Sequence, residues 1–305
     1  MDRASWLLGT STLTDPILEI GPSYNPIAAK CKGWRAHVVD HASQAELRAK
    51  YAPMGVDVLS IEHVDSVWVG GPLHEALPVD KMGSFSRLIA SHVIEHIPDF
   101  VAFFDSASRL LAPDGVVALA VPDLRHCFDF FRPLSTTGAV LEAHSLKRSR
   151  HSRRSIWDQA AYTVSWHGLG AWGDVAVPDL DFTTSFEAAA QAYSAYDDRP
   201  NTDYTDCHAW QFTPARFQLV TLELGQLGIL DWRIVSIEGF GAEFLCTLRR
   251  GAEQLDRDAL QQRRRQLLYL GLAETRQQID RALGDRNAAN TGSDWGALPL
   301  LLGLK

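Results

Sequence analysis

The feature of this sequence that most restricts its fold is a regular alternation of short apolar runs with segments of helical periodicity. The apolar runs have the length and composition of buried strands, and they are Ile17–Ile20, Ala36–Val39, Phe85–Ala90 and Val116–Val121, with a further strand near Val64–Val69. The clearest helical segments between them are Gln44–Tyr51 and Phe100–Leu111. This alternation is typical of a parallel sheet covered by helices on both faces, so we predict a doubly wound α/β fold.

The pattern changes in the second half of the chain. Between Ser135 and Asp206 no regular period is visible, and because a structureless loop of this length is unusual in a compact domain, we predict a helical insertion or lid. Thr213 and Pro214 suit the cap and first turn of a helix that ends near Leu227. Two strand-like runs follow and predict a closing antiparallel hairpin, Trp232–Ile237 and Phe244–Leu248.

The end of the chain is predicted to be helical. Residues Glu253–Leu283 have the pattern of one or two charged amphipathic helices, and the last twenty residues look frayed. We therefore divide the chain into a core over 1–134, an inserted lid or acceptor region over 135–206, a completion of the core over 207–250 and a helical extension over 251–305. The helical extension also offers a surface for a homo-oligomer.

Charge, hydropathy and cysteine spacing limit the partners and the cellular compartment that we expect for this protein. The 305 residues carry a net charge of −8, which argues against broad contact with a nucleic-acid backbone. No apolar run approaches a membrane span, and the apolar part of the N-terminus is too short for a secretory signal. The four cysteines are scattered without CxxC spacing, which favours reduced thiols over a zinc ribbon. We expect a soluble cytoplasmic protein that binds neither nucleic acid nor membranes.

Two strand ends carry residues suited to a nucleoside. The first predicted strand ends at Glu19-Ile20-Gly21, and Gly21 would let the backbone of the following turn approach a ligand closely. The second ends at Asp40, the position and residue type that bind ribose hydroxyls in nucleoside-binding sheets. Each feature has a structural alternative, since the glycine turn also serves packing and Asp40 could cap the following helix.

Two further segments carry a resemblance to a known family. The first runs from Leu88 through Ser91-His92-Val93-Ile94-Glu95-His96 to Asp99, and the second from Arg109 through Pro113-Asp114-Gly115 to Asp123. Together with the Gly21 turn and Asp40, in this order and spacing, they resemble class I S-adenosylmethionine-dependent methyltransferases over about residues 15–131. The hairpin at 232–248 resembles the last two strands of that fold. The resemblance implies a Rossmann-like methyltransferase sheet and S-adenosylmethionine as cofactor.

The resemblance also implies roles for individual residues. Glu19, Gly21 and Ser23 would line the methionine and ribose side of the cofactor, and Asp40 would hold the ribose hydroxyls. Ser91 and His92 would lie beneath the cofactor at the end of the fourth strand. The turn departs from the family pattern, since Ser23 and Asn25 replace its second and third glycines. An acidic partner for adenine is not obvious, which leaves Glu62 and Asp65 as fallback candidates.

A methyl acceptor would contact residues beyond the carboxyl edge of the sheet. Methyl transfer needs orientation and exclusion of water, and a hydroxyl acceptor also needs a base, most often histidine. Asp123, Arg125 and His126 follow the fifth strand and are the first candidates for acceptor contact. In the structural alternative, Asp123 caps a helix and Asp129 pairs with Arg132.

A second candidate cluster precedes the Pro214 helix. His208 and Trp210 alternate onto one side of an extended segment, so a base and an aromatic platform for a sugar could face the site together. The segment 208–214 also resembles a stretch found in methyltransferases that modify sugars or polysaccharide precursors. In the alternative, Trp210 and Phe212 are core aromatics and His208 is a structural histidine. Four arginines could recognise a phosphate or carboxylate of the acceptor, although a solvated charged face explains them better, and they are Arg148, Arg150, Arg153 and Arg154.

Other enzyme classes fit the sequence less well. The residues from His92 to His96 match H-x-x-E-H, an inverted zinc-peptidase motif, but that chemistry needs both histidines on one helix. Here His92 follows a strand directly and Pro98 interrupts helical continuation. No Gly-x-Ser-x-Gly elbow indicates a serine hydrolase, and the Gly21 turn lacks the G-x-G-x-x-G of nicotinamide-dependent oxidoreductases.

The sequence therefore predicts an S-adenosylmethionine-dependent methyltransferase. Its acceptor would be a sugar, a glycan or another polar small molecule, methylated at oxygen. His208 or His126 would be the base, with Asp123 as a further catalytic candidate and Arg125 and Trp210 in contact with the acceptor. No residue is assigned as a metal ligand. The alternative is a non-catalytic homologue that binds the nucleoside and acts as a scaffold.

Overall fold

The computed structural model describes residues 1–175, 177–199 and 204–283, and this part of the chain contains ten strands and eight α-helices. The strands are β1 Ile17–Ile20, β2 Ala36–Asp40, β3 Ser66–Val67, β4 Phe85–Ser91, β5 Leu111–Pro122, β6 Val164–Trp166, β7 Leu169–Gly170, β8 Leu180–Phe182, β9 Trp232–Phe240 and β10 Glu243–Arg250. The helices are α1 Arg3–Leu8, α2 Gln44–Tyr51, α3 Phe100–Leu110, α4 Thr137–Ser145, α5 Arg153–Tyr162, α6 Phe186–Ala195, α7 Pro214–Gln226 and α8 Arg257–Leu283.

Seven strands form one mixed sheet in the order β3-β2-β1-β4-β5-β10-β9. Strands β1 to β5 pair in parallel, whereas β10 pairs antiparallel with both β5 and β9. The strand order changes direction between β1 and β4, which places a crevice at their carboxyl ends. The structure confirms the predicted α/β class, the Rossmann-like sheet and the antiparallel last hairpin.

Apolar side chains on both faces explain why these strands form the centre. All four residues of β1 are buried, and so are the residues of β5 from Val116 to Pro122. One face packs against α3, which buries Phe100, Phe103 and Phe104 and begins at its cap Asp99, whose carboxylate accepts two backbone hydrogen bonds. A sheet buried on both faces requires such continuous apolar runs, and these runs allowed the central strands to be predicted from the sequence.

The bounds of individual elements differ from prediction where pairing or turns decide them. Strand β1 and helix α2 have the predicted bounds, whereas β5 begins earlier, at Leu111, because Phe85 pairs with Leu111 before a register shift. The strand expected near Val64–Val69 is reduced to Ser66–Val67, the two residues that pair with β2. Strand β9 continues to Phe240, because the hairpin pairs up to that residue.

The insertion contains helices, as predicted, and a small sheet that the sequence did not reveal. Helices α4, α5 and α6 lie in this region, and β6 pairs antiparallel with both β7 and β8. These strands are two or three residues long and only Val164 is fully buried, so no apolar alternation marks them.

The C-terminal extension is a single helix over its described part. Helix α8 packs against α7, where Leu219, Leu222 and Leu267 form a buried cluster. Its last turns donate hydrogen bonds from Gln278 to the carbonyl oxygen of Phe130 and from Arg281 to that of residue 125. The predicted fraying of the last twenty residues lies outside the described residues. Within the described part, none of the helices has the length and apolar character needed to cross a membrane.

Candidate active site

The turn after β1 forms one wall of the crevice between β1 and β4. Gly21 has φ +63°, and its N–H donates a hydrogen bond to the carbonyl oxygen of Val39 at the end of β2. A Cβ at this position would lie 3.1 Å from Cγ2 of Val93. Glycine is therefore required both by the left-handed backbone and by the neighbouring side chain.

Glu19 stabilises this turn from within the protein. Its carboxylate accepts hydrogen bonds from the N–H groups of Ile27 at 2.6 Å and Ala28 at 2.9 Å. Burial raises the pKa of Glu19 to about 7, although both hydrogen bonds act in the opposite direction. With both oxygens bound inside the turn, Glu19 shapes the crevice, and its predicted direct contact with a cofactor stays a prediction.

Asp40 and Ser23 lie together where the Gly21 turn meets β2. The backbone N–H of Ser23, a residue with φ +47°, donates to Oδ2 of Asp40 at 3.1 Å. The other oxygen accepts from the N–H of His41 at 2.8 Å and lies 2.7 Å from its Nδ1. The carboxylate thus faces the turn as predicted, but the residue is only 3% exposed. A ribose could reach it only after the turn or the His41 side chain moves.

The end of β4 is linked to the first helix and to β10 by a charged network. Arg3 in α1 forms an ion pair with Glu243 at 2.5 Å and donates to Oγ of Ser91 at 2.5 Å. Nε2 of His92 lies 2.6 Å from Glu243, and His92 has φ +54°. Ser91 and His92 therefore lie at the predicted edge, and the sequence did not identify Arg3 and Glu243 because both are distant from them along the chain.

The fallback partners for adenine have structural roles. Glu62 accepts from the backbone N–H groups of Lys30 and Cys31, both at 2.9 Å. Asp65 pairs with Nζ of Lys30 at 2.5 Å and accepts from the N–H of Val38 at 2.7 Å. Both carboxylates bind the segment from Lys30 to Val38, and their role as partners of adenine stays a prediction.

The residues after β5 form local contacts. Asp123 is buried, caps the short turn at Leu124–His126 and pairs with Arg125 at 2.5 Å. This arrangement matches the structural alternative for Asp123, and it occupies the guanidinium of Arg125 as well. His126 contacts Asp174 through Nδ1 at 3.0 Å, and burial lowers its pKa. The roles predicted for these three residues stay predictions.

His208 belongs to a buried histidine–carboxylate pair. Its Nδ1 lies 2.5 Å from Oδ2 of Asp129, and Arg132 binds the other oxygen of Asp129 at 2.8 Å. Burial tends to raise the pKa of Asp129, but His208 and Arg132 outweigh it and lower the pKa. Asp129 therefore stays ionised and fixes the ring of His208 through one nitrogen, which leaves Nε2 as the nitrogen available for chemistry.

Glu95 and His96 lie beside His208, and the sequence analysis assigned neither a role. The rings of His96 and His208 are 4.5 Å apart and nearly perpendicular. The segment that carries His208 is tied to this place, because the N–H groups of Ala209 and Trp210 donate to the carbonyl oxygen of Glu95 at 2.6 and 3.2 Å. Burial tends to lower the pKa of His96, but its hydrogen bond to Asp206 and the charge of Glu95 raise it overall.

Trp210 is a core residue. It is buried, its Nε1 donates to the carbonyl oxygen of Ile97 at 2.6 Å, and its ring packs edge-on against Phe100. This is the packing of the structural alternative, and it leaves no open ring face of the kind that a sugar platform needs. Trp210 nevertheless borders a surface pocket together with three of the four arginines considered above, Arg148, Arg150 and Arg154.

The two histidines of the H-x-x-E-H motif point to different partners. His92 turns to Glu243, whereas Nδ1 of His96 lies 2.8 Å from Asp206. The helical turn between them covers only Ile94–His96. The geometry thus agrees with the argument against a zinc peptidase.

The buried side chain of His151 makes the stability of the protein depend on pH in a testable way. His151 is buried, and burial lowers its pKa to about 4, while the unfolded chain would titrate near the ordinary value of 6.5. The unfolded state therefore binds more protons between these values, and stability falls as the pH decreases through them. We expect a loss of about 3 kcal/mol between about pH 7 and pH 4 from this residue.

Urea unfolding at several pH values tests this expectation. A His151→Gln variant should lose less free energy of unfolding on acidification than the unmodified protein. Equal pH dependence in the two proteins would contradict the assignment.

Comparison with known proteins adds a family to this geometry. A family model described as a methyltransferase domain matches residues 7–171. None of the curated proteins matches the chain. Among solved structures, the chain is similar to the CcbJ methyltransferase from Streptomyces caelestis, with 12% identity, coverage of 81% of this chain and 94% of that chain, and a TM-score of 0.42. It is also similar to a DhpI-SAM-HEP complex, with 17% identity, coverage of 79% and 81%, and a TM-score of 0.38.

Proposed function

The chain belongs to the class I S-adenosylmethionine-dependent methyltransferase family, and we propose that it transfers a methyl group from S-adenosylmethionine to an oxygen atom of a polar small molecule. The family model covers more than half of the sequence, including β1, β4 and β5. The finer parts of the proposal, which are the acceptor and the residues that act on it, rest on the contacts at the carboxyl edge.

The crevice at Gly21 is the place we propose for the cofactor, once the turn or the His41 side chain has moved. A Cβ at Gly21 would lie only 3.1 Å from Cγ2 of Val93, so the backbone is bare here, and backbone approach is what a nucleoside with a charged sulfonium tail needs. Ser23 and Asp40 would hold the ribose side, and Ser91 and His92 would lie beneath the cofactor. S-adenosylmethionine supplies the activated methyl group, and the protein supplies its position relative to the acceptor.

The observation that carries the acceptor half of the proposal is the buried pair of His208 and Asp129. An acceptor hydroxyl must lose its proton when its oxygen attacks the methyl carbon, and a fixed imidazole with a free nitrogen is suited to assist that loss. The pair lies beside Glu95 and His96, and Val93 connects this group to the Gly21 turn. We infer that His208 and its neighbours activate the acceptor oxygen.

Polar and charged residues near this group favour a hydrophilic acceptor. The pocket bordered by Trp210 contains Arg148, Arg154 and Ser155 together with Glu142. Such a lining suits hydroxyls and an acidic substituent, as in a sugar, a glycan precursor or a phosphorylated small molecule. Within this proposal, the insertion over 135–206 acts as the acceptor region and residues 1–134 with 207–250 form the core.

Calorimetric titration with S-adenosylmethionine and with its demethylated product tests the donor half. We expect binding of both at one site per chain. Transfer of a labelled methyl group to hydroxylated candidate acceptors, separated by chromatography, tests the acceptor half. Absence of heat with either nucleoside would contradict the proposal, and binding without transfer to any acceptor would favour the nucleoside-binding scaffold.

Self-association through α8 is a further part of the proposal. Leu268, Leu272 and Ile279 recur at helical spacing and, with Tyr269, are exposed on α8 away from the buried Leu267 and Gly271. A second copy of the same helix would cover such an apolar stripe.

Sedimentation velocity of the protein and of a Leu272→Lys variant tests this association. We expect a dimer for the former and a monomer for the latter, with unchanged circular dichroism. A monomer in both cases would contradict the proposal.

A further inference from the structure

The carboxylate of Glu95 is buried without a hydrogen-bond partner among the described residues. The residue is 1% exposed, and neither Oε1 nor Oε2 has a donor within reach. The nearest basic nitrogen is Nδ1 of His92, which lies 3.6 Å from Oε1, too far for a hydrogen bond. A buried charged group without compensation is costly, so a carboxylate in this position points to a cation that it binds.

Two imidazoles face the same space as this carboxylate. His208 is bound through Nδ1 to Asp129 at 2.5 Å, and His96 through Nδ1 to Asp206 at 2.8 Å. Both rings thus keep Nε2 as the nitrogen without a carboxylate partner. A histidine held by a carboxylate at one nitrogen is the arrangement that orients metal-binding histidines and increases their basicity.

The distances suit a single ion. One ligand atom from each of Glu95, His96 and His208 lies within 4.8 Å of the other two. Two ligands of one tetrahedral zinc ion at about 2.0–2.2 Å lie about 3.4 Å apart, so shifts of each ligand atom by up to about 1 Å complete the site. We propose that these three residues bind one divalent transition-metal ion.

The donor set determines the kind of ion. Two imidazoles and one carboxylate are typical of zinc and of other first-row transition metals, whereas magnesium and calcium prefer oxygen ligands. Three protein ligands leave at least one coordination position for an exogenous group, as in catalytic sites. The neighbouring carboxylate of Asp129 does not compete for the ion, because it is already paired with Arg132.

The chemical role of this metal site rests on the proposed methyl transfer. The binding of the ion itself does not depend on that proposal. With the ion bound, Nε2 of His208 would be a metal ligand and no longer the base. An acceptor hydroxyl on the open position would become more acidic and lose its proton to water. The resulting oxygen would form the new bond to the methyl carbon while the bond between carbon and sulfur breaks, and the demethylated nucleoside leaves. Glu95 follows Val93, the neighbour of Gly21, by two residues, so the proposed ion would lie close to the donor crevice.

Cobalt titration of the full chain tests the site. The probe is Co²⁺, added to protein freed of metal by a chelator, in a Cys31→Ser background because Cys31 is the exposed thiol. We expect one Co²⁺ per chain and visible d–d absorption without a sulfur charge-transfer band. Zn²⁺ should displace Co²⁺ and should also raise the Tm of the protein.

Matched variants locate the ligands. Glu95→Gln, His96→Asn and His208→Asn should each weaken Co²⁺ binding at least tenfold. His144→Asn should bind Co²⁺ as before, because His144 forms a comparable pair with Asp99 outside the cluster. Unchanged affinity in all three cluster variants, or no stoichiometric binding by the unmodified chain, would overturn the proposal.

Stability provides a second measurement that does not depend on activity. Glu95→Gln removes a buried carboxylate that has no hydrogen-bond donor, so we expect the Tm of the metal-free variant to rise while the shift produced by Zn²⁺ disappears. An unchanged Zn²⁺ shift in this variant would overturn the proposal even if the other variants fail to fold. Metal binding without methyl transfer would contradict the proposed function alone, and chelator-resistant methyl transfer by metal-free protein would contradict the metal's role alone.

Discussion

Replacement of Gly21 by valine is expected to weaken the binding of S-adenosylmethionine at least a hundredfold. The residue has φ +63°, and its Cβ would lie 3.1 Å from Val93, so a branched side chain would both strain the turn and fill the crevice. Calorimetric titration with S-adenosylmethionine and with its demethylated product measures the loss.

Gly83→Val provides the matched control for this variant. Gly83 has nearly the same φ, +64°, but nothing lies within 4 Å of its Cβ position, and it precedes the amino end of β4 rather than the carboxyl edge. The control should show the same backbone strain in its Tm and unchanged cofactor affinity. Equal affinities of both variants would contradict the placement of the cofactor at the Gly21 turn.

Replacement of Asp129 by asparagine is expected to lower the rate of methyl transfer by a factor of about 10²–10⁴, the usual range for groups that move or position a proton. Asp129 fixes the ring of His208 through Nδ1 at 2.5 Å, and asparagine cannot supply the same charge. The effect should appear in kcat, with the affinity for S-adenosylmethionine unchanged, and Asp129→Glu should restore part of the rate.

His144→Asn is the control for this experiment, because it alters a histidine–carboxylate pair away from the cluster. Its rate should match that of the unmodified protein. If Asp129→Asn retains its rate within twofold, the assignment of His208 to the acceptor side is wrong. If it loses cofactor affinity in proportion to its rate, Asp129 has only a structural role.

The fold was predictable because strands that are buried on both faces appear in the sequence as continuous apolar runs. Strand β1 and helix α2 were predicted with their observed bounds, since an apolar run and a capped helix are local properties. The sheet β6-β7-β8 was missed, because its short strands bury little and are held by pairing between distant segments.

The site was predictable only in part, for a related reason. Gly21 and Asp40 follow strands directly, so their place at the carboxyl edge could be read from the sequence. Asp123 and Trp210 lie in the expected region of the chain. The sequence could not show that Asp123 pairs with Arg125, or that Trp210 donates its Nε1 hydrogen bond to the carbonyl oxygen of Ile97.

The surroundings of Glu95 could not be predicted from the sequence. The sequence placed it in an H-x-x-E-H motif that was considered only as a zinc-peptidase alternative, whereas the fold brings His208 to it through hydrogen bonds from Ala209 and Trp210. Arg3 and Glu243 were missed for the same reason, because an ion pair between opposite ends of a chain leaves no local pattern.

The attachment of α8 has a consequence for how the protein folds during synthesis. Gln278 and Arg281 hold the backbone on both sides of Asp129, at residues 130 and 125. Domains begin to fold while the ribosome is still adding about 5–20 residues per second, N-terminal parts first. The strands β1 to β5 can therefore fold early, whereas the segment around Asp129 gains its contacts with Gln278 and Arg281 only after the ribosome has released α8.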